Sequence, residues 1–240
     1  MVMYFNPLIP VFGLFDVDEA IDINSVSLVS ERFDNLFIFK SLEKAVNTFR
    51  EGLEGGCKYP EFEAAIESVG ATLLIPKVDK EILKLNYYTV VGDASKVIES
   101  SKELRPHMLN QKQKSAYYSL MFGYYINTGD FESAAQVIRV ITEDPDFGSE
   151  MGKELLRDCQ LVYDVYVKKD TSRLETISCL AQASTDSEIK AVYQFRLALL
   201  YEELGDNRSY CEQLEKALRN TSAPALKSEI ASRLAHRDKR

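Results

Sequence analysis

The strongest constraint on this chain is one short turn written four times at nearly even spacing. Val91-Gly92-Asp93-Ala94, Thr128-Gly129-Asp130-Phe131, Lys169-Asp170-Thr171 and Leu204-Gly205-Asp206-Asn207 share one chemistry, and their aspartates lie 37, 40 and 36 residues apart. Glycine ends a helix because it enters the left-handed conformation without a Cβ clash. The aspartate after it caps the next helix by accepting backbone N–H bonds. A period of this length is one helix–turn–helix unit, and such a unit must stack on its neighbours to bury its apolar face. Lys169 stands where the other turns carry glycine, which makes the third turn the odd member.

The segments around the turns have helical periodicity. Before Gly129, apolar residues recur at Tyr117, Tyr118, Met121 and Tyr125; after it, Phe131, Ala134, Ala135, Ile138 and Ile141 fall on one face, and Pro145 stops the run. The segments VYQFRLALLYEEL and RSYCEQLEKAL flank Gly205 in the same way, before Pro224. Only 11 glycines and 7 prolines occur in 240 residues, too few for the many turns of a β-sandwich or barrel.

These residues resemble the tetratricopeptide repeat family. In the second unit the resemblance runs through Tyr118, Met121, Phe122, Tyr125, Gly129, Phe131, Ala134, Ile138, Ile141 and Pro145. In the fourth it runs through Gln194, Leu197, Ala198, Tyr201, Gly205, Tyr210, Leu214, Ala217 and Pro224. Phe122 departs from a usually small position and Tyr210 from a close-contact alanine, and the match is looser around Asp93 and Asp170. The resemblance implies an all-α fold, a right-handed α-solenoid of antiparallel helix pairs, with four pairs over residues 78–222 and a capping helix and basic tail over 223–240. Residues 41–77 read as N-terminal helices, Ser41–Leu53 and Glu61–Thr72, which form a divergent repeat or a cap. Residues 1–40 read as an apolar arm and an irregular segment in which 24–39 fits helix or a short strand.

The arm, Val2 to Phe15, is too short to span a membrane and is broken by Pro7, Pro10 and Gly13. No Lys or Arg precedes it and no small-residue cleavage site follows it, so it does not read as a signal peptide. Packing on the first helices is the simpler reading; membrane association and a homodimer stay open. A net charge of −8 argues against nucleic acid, which needs a concentrated positive field. The basic residues from Arg233 to Arg240 read as a solvated helix end. Cys57, Cys159, Cys179 and Cys211 show no CxxC spacing and read as free thiols in a reducing, cytoplasmic setting.

No catalytic pattern stands out. His107 and His236 have no Cys or carboxylate partner at zinc-site spacing, and no phosphate-binding glycine loop or nucleophile elbow occurs. The acidic run from Asp16 to Asn24 lacks the ligand and glycine that a calcium loop needs at its fifth and sixth positions, where Ala20 and Ile21 stand. No enzyme activity, cofactor or metal is therefore expected. The expected function is a scaffold that binds a protein or peptide. In the family, the first helix of each pair lines a concave groove; by position this implies Asn86, Ile126, Asn127, Tyr163, Tyr166, Phe195, Leu199 and Glu202 as partner-binding residues. None of these is Lys or Arg, which suits an apolar or basic peptide. The alternatives are a ligand-sensing regulatory domain of the peptide-sensing helical-repeat type and the soluble domain of a membrane-associated protein.

Overall fold

The computed structural model describes residues 59–237, together with Lys44, Asn47 and Thr48. Those three are helical and belong to the expected helix Ser41–Leu53. The apolar arm, the acidic run, the segment 24–39, Cys57 and residues 238–240 lie outside the described residues. The described residues are all-α, with short 3-10 and π turns and no strand among them. In chain order the helices are α1 (Tyr59–Ile66), α2 (Val69–Leu74), α3 (Lys77–Val91), α4 (Ala94–Glu103), α5 (Gln111–Thr128), α6 (Phe131–Glu143), α7 (Glu150–Tyr163), α8 (Leu174–Ala183), α9 (Ser187–Glu203), α10 (Asn207–Asn220) and α11 (Pro224–Arg237). They fall into two compact units, 59–120 and 121–237, divided inside α5.

Three of the four turns have the expected chemistry, and the third departs from it. Gly92, Gly129 and Gly205 are left-handed, with φ of 78°, 77° and 70°. The N–H of the following aspartate reaches back five residues in each case, to the carbonyls of Tyr88, Tyr125 and Tyr201. The aspartate side chain then accepts from the backbone N–H three residues on, at Lys96, Ser133 and Ser209. In the third turn Lys169 takes the left-handed role itself, with φ of 54°. It is the one non-glycine residue with positive φ among the described residues. Asp170 caps a 3-10 turn, Thr171–Arg173, which leads into α8.

A left-handed lysine costs about 1 kcal/mol relative to glycine. Lys169 also pairs with Glu203, an exposed contact worth about 0–1 kcal/mol. Lys169→Gly is therefore expected to leave stability unchanged or raise it by up to about 1 kcal/mol, as read by urea unfolding. A loss above about 1 kcal/mol would show that the lysine side chain contributes more than its ion pair.

The capping carboxylates of Asp130, Asp170 and Asp206 are held below the usual aspartate range, chiefly by hydrogen bonds with Ser133, Ser172 and Ser209. A depressed carboxylate stabilises the fold fully above its unfolded pKa, about 4, and loses that contribution as pH falls through the lower folded value. Helical circular dichroism should therefore show no contribution from these caps to any loss between pH 7 and 5, and a loss that sets in below about pH 4. Replacing all three by serine, which caps without titrating, should flatten that acid limb.

In the unit 59–120, Phe62 on α1 stacks on Tyr87 of α3 with centroids 3.7 Å apart, over a core that includes Ile66, Ile82, Leu85 and Val97. A single helix was expected over Glu61–Thr72. The chain instead breaks at Glu67-Ser68, because the Ser68 hydroxyl accepts from Ala71 N–H and starts α2. At the start of α5, Asn110 and Gln113 cap each other reciprocally, and Gln113 also donates to Asp79 on α3 at 2.7 Å.

In the unit 121–237, α9 is shared by two cores. Tyr193, Leu197 and Leu200 meet Leu161, Val165, Ile177 and Ala181 on one side. Ala191, Val192, Phe195 and Ala198 meet Tyr210, Leu214, Ala217, Leu226 and Ile230 on the other. A helix that serves two neighbours is apolar almost all round. Tyr210 on α10 is buried against α9 and α11. The expected C-terminal helix is α11. Glu188 on α9 holds its entrance by accepting from the Thr221 hydroxyl and from both the N–H and the hydroxyl of Ser222.

Candidate partner-binding face

In the unit 121–237, the helices α7, α9 and α11 carry three buried or half-buried charges, Asp158, Arg196 and Arg233. Among the described residues the largest fully buried side chain is a cation: Arg196 on α9 has no exposed surface. Its guanidinium lies 5.6 Å from the centroid of the Tyr193 ring, within cation–π range. Asp158 on α7 is the nearby carboxylate. Burial pushes its pKa up, and Arg196 partly opposes that push. A buried arginine needs such compensation because desolvating a charge costs several kcal/mol.

Between α7 and the third turn the helix widens into a π segment, Asp164–Lys168. The wider ring appears directly in the bonds, since Lys169 N–H reaches the carbonyl of Asp164, five residues back. Asp170 N–H reaches the same carbonyl. Tyr166, in the middle of this segment, has a buried hydroxyl with no hydrogen-bond partner at good geometry among the described residues. Burial raises its pKa, and the nearby Arg196 lowers it by less.

On α11, Arg233 lies 5.5 Å from the Phe195 centroid, donates to Glu229 at 2.6 Å and reaches Glu202 on α9 at 3.1 Å. Arg233 was expected in a solvated tail. It is instead a half-buried tie between α11 and α9, because its long stem covers an aromatic ring while its head meets two carboxylates.

The eight residues expected to line a groove have different fates. Asn86 is half-buried on α3, in the unit 59–120. Ile126 and Phe195 are buried, at 7% and 1% exposure, and Phe195 is a core residue between α9, α10 and α11. Asn127 and Tyr163 are half-buried. Tyr166 and Leu199 are partly buried and pack against the same core cluster, and Glu202 is exposed and bound to Arg233. Tyr166, Leu199 and Glu202 are thus tied to one network on α7, α9 and α11.

Arg196, Asp158 and Arg233 belong to that network and were not among the eight. A signal for Arg196 is present in the sequence, as a lone cation inside the apolar run AVYQFRLALLY. The eight positions lack cations, but their surroundings hold two arginines.

Other chemistry on the described residues is sparse. No group of His, Cys, Asp and Glu there could hold a metal, and no helix is long and apolar enough to cross a membrane. Cys159, Cys179 and Cys211 are free thiols. Burial pushes the Cys159 thiol far up, so it is a poor nucleophile. No protein-family model, curated protein or solved structure matches the chain.

Proposed function

We propose that this chain is a non-catalytic scaffold, a right-handed α-solenoid of the tetratricopeptide type, which holds a protein or peptide partner on the first-helix face of its third and fourth pairs. The observation that carries the reading is the turn. At four places 36 to 40 residues apart, a left-handed residue is followed by an aspartate cap. Like turns at near-even spacing make like helix pairs, and stacked pairs present their first helices on one face.

The partner is expected to meet Tyr163, Tyr166, Leu199 and Glu202. Tyrosines bury much area with few rotatable bonds, and Glu202 and Glu203 suit a segment with basic residues. Phe195 is a support for that face and not a contact.

The test is site-specific photo-crosslinking in the native host. A photoreactive amino acid at Tyr163 or Leu199 should trap a discrete partner. The same group at Cys179, exposed on the second helix α8, should not. Equal trapping at all three positions, or none at Tyr163 and Leu199, would sink the reading.

A further inference from the structure

Three oddities meet in one turn. The π segment Asp164–Lys168 interrupts α7, Lys169 holds a left-handed backbone without being glycine, and the Tyr166 hydroxyl is buried without a well-placed partner. Each is unfavourable alone, and such features persist only where surrounding contacts over-determine them. The over-determining residue is Asp164. Its side chain is 5% exposed and accepts from Lys168 Nζ at 2.8 Å, from Arg173 Nε at 2.8 Å and from Arg173 Nη2 at 2.6 Å. Its carbonyl accepts from Lys169 and Asp170 N–H. Five donors therefore converge on one buried residue, and all come from the turn that follows it.

We infer that Asp164 and Arg173 are positioning residues: their ion pair locks the π turn, and the locked turn sets Tyr166 against Arg196 on the partner-binding face. One extra residue in a helix rotates everything after it by about 100°, since a turn holds 3.6 residues. Tyr166 lies inside the segment, so relaxing the π turn to α geometry would turn its side chain by part of that angle. Arg173 suits the task because its planar fork places two donors on one carboxylate oxygen. Lys168 is a weaker second hold, being a flexible point charge that also lies 5.7 Å from the Tyr163 ring. Asp170, 3.8 Å from Arg173, competes for the same cation but at longer range. The role of this turn in recognition rests on the groove reading; the positioning itself does not.

The test uses tyrosine nitration by tetranitromethane on the full chain, with Tyr166 and Tyr163 resolved by fragmentation mass spectrometry. Tyr166 should react slowly in the wild type. In Arg173→Met it should react about ten-fold faster, as expected for a local opening, while the other tyrosines and the helical circular dichroism stay as they were. Arg173→Lys, which keeps the charge but loses the fork, should restore only part of the protection. A wild-type rate at Tyr166 in Arg173→Met overturns the inference. Should Arg173→Met lose its helical signal, the lysine variant decides: folded with Tyr166 more reactive than in the wild type supports positioning by the fork, and folded with wild-type protection overturns it. No partner enters this measurement, so its failure leaves the groove standing. Loss of cross-links at Tyr163 and Leu199 with Tyr166 still protected removes the groove alone.

Discussion

Arg196→Ala is expected to lose about 3–5 kcal/mol of unfolding free energy, the range for breaking a buried charge interaction by removing one partner. Two losses combine. The alanine leaves a cavity beneath Tyr193 and Tyr166 where a long side chain was fully buried. It also leaves Asp158, already pushed toward its neutral form by burial, without the cation that opposes that push. Arg196→Met separates the two effects, because it fills most of the volume without the charge. Because Arg196→Met still leaves Asp158 without the cation that opposes its burial, the methionine variant should recover only the cavity share and keep more than half of the alanine variant's loss. Chemical denaturation of both variants checks this, with the midpoint read at an unchanged slope. Equal losses in the two variants would assign the whole effect to charge. A loss below about 1 kcal/mol in Arg196→Ala would mean that the site relaxes or fills with water at little cost.

The same residue shows where reading the sequence stops. The four turns were legible because each is a local device: glycine or a tolerated substitute for the left-handed step, aspartate for the cap, and nothing distant to consult. The helix ends at Pro145 and before Pro224 were legible for the same reason. Arg196 was not, since its meaning depends on Asp158, 38 residues earlier, and on the burial of both. Phe195 was misassigned in a related way. Transfer by position assumes that one side of each first helix stays open, but α9 gives two of its sides to cores, so Phe195 is consumed by packing. The π segment left only a trace, the 40-residue spacing against 37 and 36, and spacing alone does not say where the extra length lies. Ser68 lies inside the segment read as one helix, and its local bond to Ala71 outweighed the periodicity that spans it.

The second large effect is expected at Gly152, in the first turn of α7. A Cβ there would lie 2.3 Å from the carbonyl oxygen of Phe147 and 2.5 Å and 2.6 Å from its Cα and carbonyl carbon. These are backbone atoms, so no rotamer change relieves the clash. The backbone is also held on both sides. The Phe147 side chain is 4% exposed and anchors the 3-10 turn Pro145–Gly148, and Gly152 N–H donates to the Ser149 hydroxyl that caps α7. Gly152→Ala must therefore move either the buried phenylalanine or the start of α7. Overpacking of this kind costs about 1–3 kcal/mol, and the upper end is expected because both walls are fixed. Alanine returns up to about 1 kcal/mol through its better helix propensity, leaving a net loss near 2 kcal/mol. Gly148→Ala is the internal control. It lies four residues away, in the turn that Phe147 anchors, and a Cβ there meets nothing within 4 Å. Its stability should stay within about 0.5 kcal/mol of the wild type. Should the two alanine variants unfold at the same denaturant concentration, the close approach of α7 to the Phe147 turn would be wrong. A loss confined to Gly152→Ala would establish that this glycine is required by contact and not by backbone conformation, in contrast to Gly129 and Gly205, whose Cβ positions are open and whose φ is positive.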